Sequence, residues 1–235
     1  MSITDNIQSV LADIATIAAG CGRSADDIQL VAVSKRFPIS AIEEAIRAGH
    51  RVFGENYIQE AQAKIETIGG QGRFHFIGHL QSNKAKIAAR LFDVVETVDS
   101  LKLARALSKH LQELQRTMRV LLQVNIGEDE RKSGATAAAA EHLLCDIQLL
   151  PNIEVVGLMT MPPFTSNPEE ARPYFRNLRQ LAERLAAKGL FRQNQKIELS
   201  MGMSHDYHVA IQEGATIVRV GTAIFGQRQT VPPQK

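Results

Sequence analysis

Short apolar segments alternate with amphipathic helical segments along almost the whole sequence, and that alternation constrains the fold more than any other feature. Strand-like runs lie at 28–34, 51–54, 73–77, 91–98, 119–124, 153–157, 196–199 and 216–220. Between them apolar residues recur at helical spacing, as in Ile39–Ala48 and in Leu103, Ala104, Leu107 and Leu111. Asn167-Pro168-Glu169-Glu170 opens one such helix, with proline at its first position and acids in its first turn. Short, uniformly apolar strands are those of a parallel sheet buried on both faces. Parallel strands joined through helices give right-handed crossovers. Eight such units predict an α/β fold, a (β/α)8 TIM barrel that fills residues 1–235 as a single domain. An extra N-terminal helix precedes the first strand, carried by Ile7, Val10, Leu11, Ile14 and Ile17 and stopped at Gly20. An open doubly wound sheet is the competing architecture. No G-x-G-x-x-G follows the first strand, which counts against a dinucleotide-binding version.

Composition narrows the classes further. A net charge of +2 is too small to argue for nucleic acid or a membrane surface. Cys21 and Cys145 stand far apart in no metal-like spacing, which fits a reducing compartment. The first twenty residues carry no basic leader, and no apolar run is long enough to span a bilayer. A cytoplasmic protein is expected, with no nucleic-acid or membrane partner. The stretch around Pro232-Pro233 reads as a loose tail.

Barrel enzymes and binding proteins carry their chemistry at the C-terminal strand ends. Here the first strand, Leu30-Val31-Ala32-Val33-Ser34, ends in Lys35. A lysine on such a mount is partly desolvated and becomes a usable nucleophile; the alternative is an exposed strand-end lysine. The second strand ends in Gly54-Glu55-Asn56, the third in Gly78-His79, the fifth in Asn125 and the sixth in Met159 and Thr160. The last two strands end in Ser200-Met201-Gly202-Met203-Ser204 and in Arg219 and Gly221-Thr222. Ser204 reads as the start of a short helix, where a hydroxyl and unpaired backbone N–H groups bind an anion. Gly221 allows close backbone approach and Thr222 adds a donor; otherwise both are plain turn residues. A phosphate site facing a lysine suggests either pyridoxal 5′-phosphate (PLP) or a sugar phosphate that forms an imine. Arg219 can donate to a pyridine nitrogen without protonating it, unless it pairs with a carboxylate such as Glu198.

The segments VAVSK, FGENYIQE, HFIGHLQSNK, GLMTM, LSMGMS and VRVGTAIFG together resemble the PLP homeostasis protein family (YggS/PROSC-like). They cover both ends and the middle of the chain in the expected order. The resemblance implies a fold-type III PLP barrel like the N-terminal domain of alanine racemase, with Lys35 as the PLP-bearing lysine. It implies phosphate contacts from Ser204, Gly221 and Thr222, and Arg219 on the pyridine nitrogen. Asn56 and His79 match motif positions near the cofactor, and Met201 and Met203 lie by the ring or phosphate, with packing as the plainer role.

An arginine at the ring nitrogen leaves it largely unprotonated and weakens the electron sink. The related racemases use arginine too, but add a second acid–base group from a partner's C-terminal domain. Roughly a dozen residues follow Gly221, so no such domain is expected. The expectation is a monomer that holds PLP and hands it to apo-enzymes that need it, with little or no turnover. A small PLP-dependent amino-acid racemase or lyase is the alternative, and a Schiff-base aldolase a third reading. Tyr57 and Tyr207 are the nearest substitutes for the absent base, or packed tyrosines. The charged loop Gly127–Gly134 is a lid in which Lys132 offers PLP a second amine, or else a solvated loop. Lys84, Lys86 and Arg90 form an exposed helix face or a docking surface.

Overall fold

The structure, a computed structural model, describes residues 2–129, 132–192 and 196–227. Glu130 and Arg131 of the charged loop and Pro232-Pro233 of the tail lie outside the described residues. After the N-terminal helix α1 (Ile3–Gly20), strands and helices alternate. They are β1 (Gln29–Val33), α2 (Ile39–Arg47), β2 (Val52–Glu55), α3 (Ile58–Ile68), β3 (Arg73–Phe76) and α4 (Ala85–Leu91). There follow β4 (Val94–Val98), α5 (Leu101–Glu113), β5 (Met118–Gln123), α6 (Ala137–Gln148), β6 (Ile153–Met159) and α7 (Arg172–Ala187). The chain closes with β7 (Glu198–Met203), α8 (Tyr207–Gln212), β8 (Ile217–Val220) and α9 (Thr222–Phe225). Every strand pairs in parallel with its sequence neighbours, and β1 pairs with β8. The barrel is closed, as the alternation predicts, and the open sheet is excluded.

Alternate residues along each strand divide the core into two layers. Val31, Val52, Val94, Leu121, Val156 and Ile217 meet inside the barrel. Leu30, Ala32, Phe53, Phe74, Phe76, Val95 and Val120 point outward into the layer beneath the helices. Each large apolar side chain fully buried there stabilises the fold by roughly 1.5–3 kcal/mol. Helix α1 is closed at its start by a capping box, in which Ser2 Oγ accepts from Asp5 N and Asp5 Oδ2 accepts from Ser2 N. It packs against α2, α8 and α9. There Asn6 Nδ2 donates to Ile224 O at 2.8 Å and the Tyr207 hydroxyl donates to Asp13. Among the described residues no helix is long and apolar enough to cross a membrane.

Several element boundaries differ from the sequence reading. Leu91 ends α4 and Phe92 is buried, so β4 starts only at Val94. Strand β6 continues through Gly157 to Met159. That glycine serves close packing, because a Cβ there would stand 1.8 Å from Glu198 O of β7. Strand β7 runs on to Met203, and α8 starts at Tyr207 rather than at Ser204. The backbone turns at Ser204–Asp206 because Asp206 Oδ1 takes the N–H of Met203 at 2.6 Å. Helix α9 has no counterpart in the sequence reading.

Candidate functional site

Parallel closure carries all the C-terminal strand ends to one mouth. A cavity of about 230 Å³ opens there, and six of the eight expected site residues line it: Lys35, Asn56, Ser204, Arg219, Gly221 and Thr222. Lys35 lies just past the end of β1 and is half-buried. Asn56 follows β2 and is pressed from behind by Gly78, where a Cβ would stand 2.3 Å from Asn56 O. Asn56 Oδ1 is shut away from solvent and has no hydrogen-bond partner among the described residues. An orphaned acceptor at a cavity wall suits a polar ligand that donates to it.

At the opposite end, Ser204 does not cap the helix that follows it. Its hydroxyl reaches across to β8 and α9, accepting from Gly221 N at 3.2 Å and Ala223 N at 3.5 Å. A Cβ on Gly221 would meet Val33 at 3.4 Å, an ordinary contact. The Ser204 and Thr222 side chains and the start of α9 come together at this end of the cavity. Phe37 packs on Phe225 with ring centroids 5.1 Å apart, tying the turn that carries Lys35 to that end.

Arg219 forms the buried floor. Its Nη1 donates to Ser200 Oγ at 2.5 Å and its Nη2 to Thr160 O at 2.9 Å. The same Ser200 hydroxyl donates to Glu96 Oε2 at 2.5 Å, and His75 Nδ1 donates to Glu96 Oε1 at 2.6 Å. Glu96 is fully buried and lies 3.9 Å from the Arg219 guanidinium. Burial pushes the Glu96 carboxyl up, but the His75 hydrogen bond and charge, the Arg219 charge and the Ser200 hydroxyl outweigh it. Together they hold it below the ordinary carboxylate range. Burial pulls the Arg219 guanidinium down while the Glu96 and Asp206 charges oppose that pull. Glu198, the partner weighed for Arg219 from sequence, instead meets Arg119 at 2.5 Å.

Glu96 and His75 escaped the sequence reading, and Ser200 entered it only as part of the seventh strand's end. The signal that could have found them is a polar residue inside each of the apolar runs Phe74–Phe76, Val94–Val98 and Leu199–Met201. A buried strand tolerates such a residue only when it has a partner.

Two expected site residues lie elsewhere. Met201 is fully buried in the outer layer, because Ser200 faces the barrel interior and its neighbour must face the helices. Met203 takes the place at the cavity wall. His79 lines an adjoining cavity of about 430 Å³ together with Asn125, Lys132 and Ser133. There its Nδ1 is 3.1 Å from Ser133 Oγ and 3.9 Å from Asp99 Oδ2. Lys132 Nζ donates to Met161 O at 3.2 Å. Met161, Phe164 and Met203 wall both cavities. Glu55 also turns away from the mouth, toward Ser34 and Lys64.

Neither tyrosine lines the Lys35 cavity. The Tyr207 hydroxyl is held by Asp13 of α1, and burial together with Asp13 pushes its pKa far up. The Tyr57 hydroxyl accepts from Arg36 Nη2 at 3.1 Å and the residue is 43% exposed. His205 does line the cavity, with Nε2 3.1 Å from Ser166 O.

Comparison with known proteins agrees with this geometry. Residues 7–229 match the family "Alanine racemase, N-terminal domain". The chain is 42% identical to the pyridoxal phosphate homeostasis protein of Escherichia coli over 231 residues, covering 96% of this chain and 97% of that protein. It is 38% identical to the protein of the same name from Aquifex aeolicus, over 97% of this chain and 100% of that one. PipY of Synechococcus elongatus, solved with PLP bound, superposes with a TM-score of 0.83 at 35% identity, covering 96% of this chain and 100% of PipY. Alanine racemase of Corynebacterium glutamicum, at 18% identity and a TM-score of 0.68 over 97% of this chain and 63% of that one, shares the barrel fold. The chain belongs to the alanine racemase N-terminal domain family and, within it, to the pyridoxal phosphate homeostasis proteins.

Proposed function

We propose that this protein holds PLP in the Lys35 cavity and serves PLP homeostasis by buffering the cofactor or delivering it to apo-enzymes, with little or no turnover. The observation that carries the reading is one cavity lined by an amine, an anion-binding turn and a buried guanidinium, all from one chain. Bound PLP supplies an aldehyde that bonds reversibly to an amine and an aromatic ring that accepts electrons.

The chain's residues divide the binding between them. Lys35 provides the amine for covalent attachment. Ser204, Gly221 and Thr222 hold the phosphate at the start of α9. Arg219 donates to the ring nitrogen and keeps its own proton, because a guanidinium is not deprotonated in proteins. Glu96 and Ser200 fix its orientation from below. Asn56 supplies a polar contact at the ring. Lys132, in the adjoining cavity, is placed to receive PLP on its way in or out. His205 is the acid–base group through which a racemase or lyase activity would run.

The test is borohydride reduction of the PLP-loaded protein followed by peptide mapping. The label is expected on Lys35 and is expected to vanish in Lys35→Ala. The loaded protein is then mixed with a PLP-requiring apo-enzyme, and separately with L-amino acids in deuterated water. Activation of the apo-enzyme without Cα exchange is expected. Exchange at enzymatic rates, on the order of 1–10³ per second, that disappears in His205→Ala overturns the carrier reading in favour of a racemase or lyase.

A further inference from the structure

Lys35 sits in an unusual turn. Phe37 N donates to Ser34 O at 3.1 Å, so Lys35 and Arg36 are the two central residues. Arg36 has φ 64°, the sign that a type II turn requires at its second central position. That position normally takes glycine, because a Cβ disfavours the left-handed region. An arginine is kept there only if the surroundings over-determine it.

They do, through helix α3. Glu60 Oε1 accepts from Arg36 N at 2.5 Å. Lys64 Nζ donates to Ser34 O at 2.7 Å and to the same Glu60 oxygen at 2.6 Å. Lys64 also donates to Glu55 Oε1 at 2.8 Å, and Ser34 Oγ donates to that oxygen at 2.7 Å. Ser34 O belongs to the peptide group before the Lys35 Cα, and Arg36 N to the one after it. Both peptide planes that define the direction of the Lys35 side chain are thus gripped by charged groups of one helix. Arg36 adds its guanidinium over the Tyr57 ring, 5.5 Å from the centroid.

The geometry points to Glu60 as a positioning residue for the Lys35 amine, with Lys64 and Glu55 as its backing. This rests on the reading of Lys35 as the attachment site for PLP. Glu60 is not among the residues that line the two cavities; it holds the turn in the backbone conformation that aims the lysine into the cavity. A cluster that served only to join α3 to the barrel would need no acceptor on Arg36 N. What the position demands is an acceptor of the right length. Glutamine keeps that acceptor, alanine removes it, and aspartate keeps the charge but withdraws the oxygen by one methylene.

The experiment compares Glu60→Ala, Glu60→Asp and Glu60→Gln with the wild type as full chains. PLP is titrated in, covalent occupancy of Lys35 is read by borohydride trapping, and the pH dependence of the cofactor absorbance band is followed. Thermal unfolding is recorded alongside. Loss of one charge-assisted hydrogen bond predicts about a tenfold rise in the PLP needed for half-maximal labelling of Glu60→Ala and Glu60→Asp. Their absorbance titration is expected to move with it, while Glu60→Gln stays within about twofold of wild type. If Glu60→Ala does not fold, the aspartate and glutamine variants decide the matter. Wild-type labelling of Glu60→Asp, or equal impairment of Gln and Asp, overturns the inference alone. A wild-type chain that takes no label at Lys35 overturns the cofactor reading and this inference with it.

Discussion

Two buried polar clusters flank the cavity, and they are built differently. Beneath it, Arg219, Ser200, Glu96 and His75 join β8, β7, β4 and β3 across the barrel. Both Glu96 oxygens accept hydrogen bonds, and every link is internal to the barrel. Behind Lys35, the cluster of Ser34, Glu55, Lys64 and Glu60 joins β1, β2 and α3. There Glu55 Oε2 is buried with no partner among the described residues, and the Glu60 side chain is 28% exposed. The contrast shows in the carboxyl groups. Glu96 is held below the ordinary range by partners that outweigh burial. Burial wins at Glu55 and holds it above that range, against the Lys64 charge and hydrogen bond and the Ser34 hydroxyl. A saturated network makes a rigid floor, and a partly satisfied one is costlier to keep. The Arg219 end of the cavity is thus held by a saturated network, and the Lys35 end by one that keeps an unpaired buried oxygen.

The largest effect that would sharpen this contrast comes from deletion of each carboxylate. Glu96→Ala strands the buried Arg219 charge and is expected to cost about 3–5 kcal/mol of stability in urea unfolding. Glu55→Ala leaves Lys64 with Ser34 O and Glu60, and is expected to cost about 1–3 kcal/mol. A larger loss at Glu55 than at Glu96 would reverse the ranking of the two clusters.

A smaller effect tests the opposite directions of the two shifts. The depressed Glu96 contributes stability above the ordinary carboxylate range, and that contribution is lost as pH falls through its folded value. The raised Glu55 does the reverse: its proton is held more tightly in the folded chain. The advantage it gives in acid fades as pH rises from the ordinary range to the raised value. Urea titrations from about pH 2.5 to 7 should therefore show wild type gaining on Glu96→Gln as pH rises in the acid half of the range, and losing ground to Glu55→Gln in the upper half. Slopes of the same sign would break the comparison.

The smallest effect is a control on the barrel's outer rim. Glu198 meets Arg119, whose side chain is 49% exposed, and a pair screened by solvent contributes little. Glu198→Ala is expected to change stability by less than about 1 kcal/mol and to leave PLP loading unchanged. A loss of loading would restore Glu198 as a partner of the Arg219 end.

Much of this site was legible before any coordinates. Lys35, Asn56, Ser204, Gly221 and Thr222 each follow a strand-like run and Arg219 lies near the end of one, and parallel closure gathers such positions at one mouth. Met201 was misread because LSMGMS does not reveal which of its methionines faces inward. The answer depends on the side that Ser200 takes, and Ser200 is drawn inward by Glu96 and Arg219. His79 was assigned to the Lys35 cavity because strand-end position fixes the rim but not the partition of the space above it. Met161, Phe164 and Met203 make that partition from two different strand ends.

The sequence by itself determined the alternation, hence the barrel, and the residue types at its mouth, because periodicity and turn chemistry are local properties of the chain. Only the tertiary structure decided that Ser200 meets Glu96, 104 residues away, and that Lys64 grips the backbone of Ser34. Those pairings depend on barrel closure and on which side of each strand faces in. A buried charge has no local signature of the partner that makes its burial tolerable.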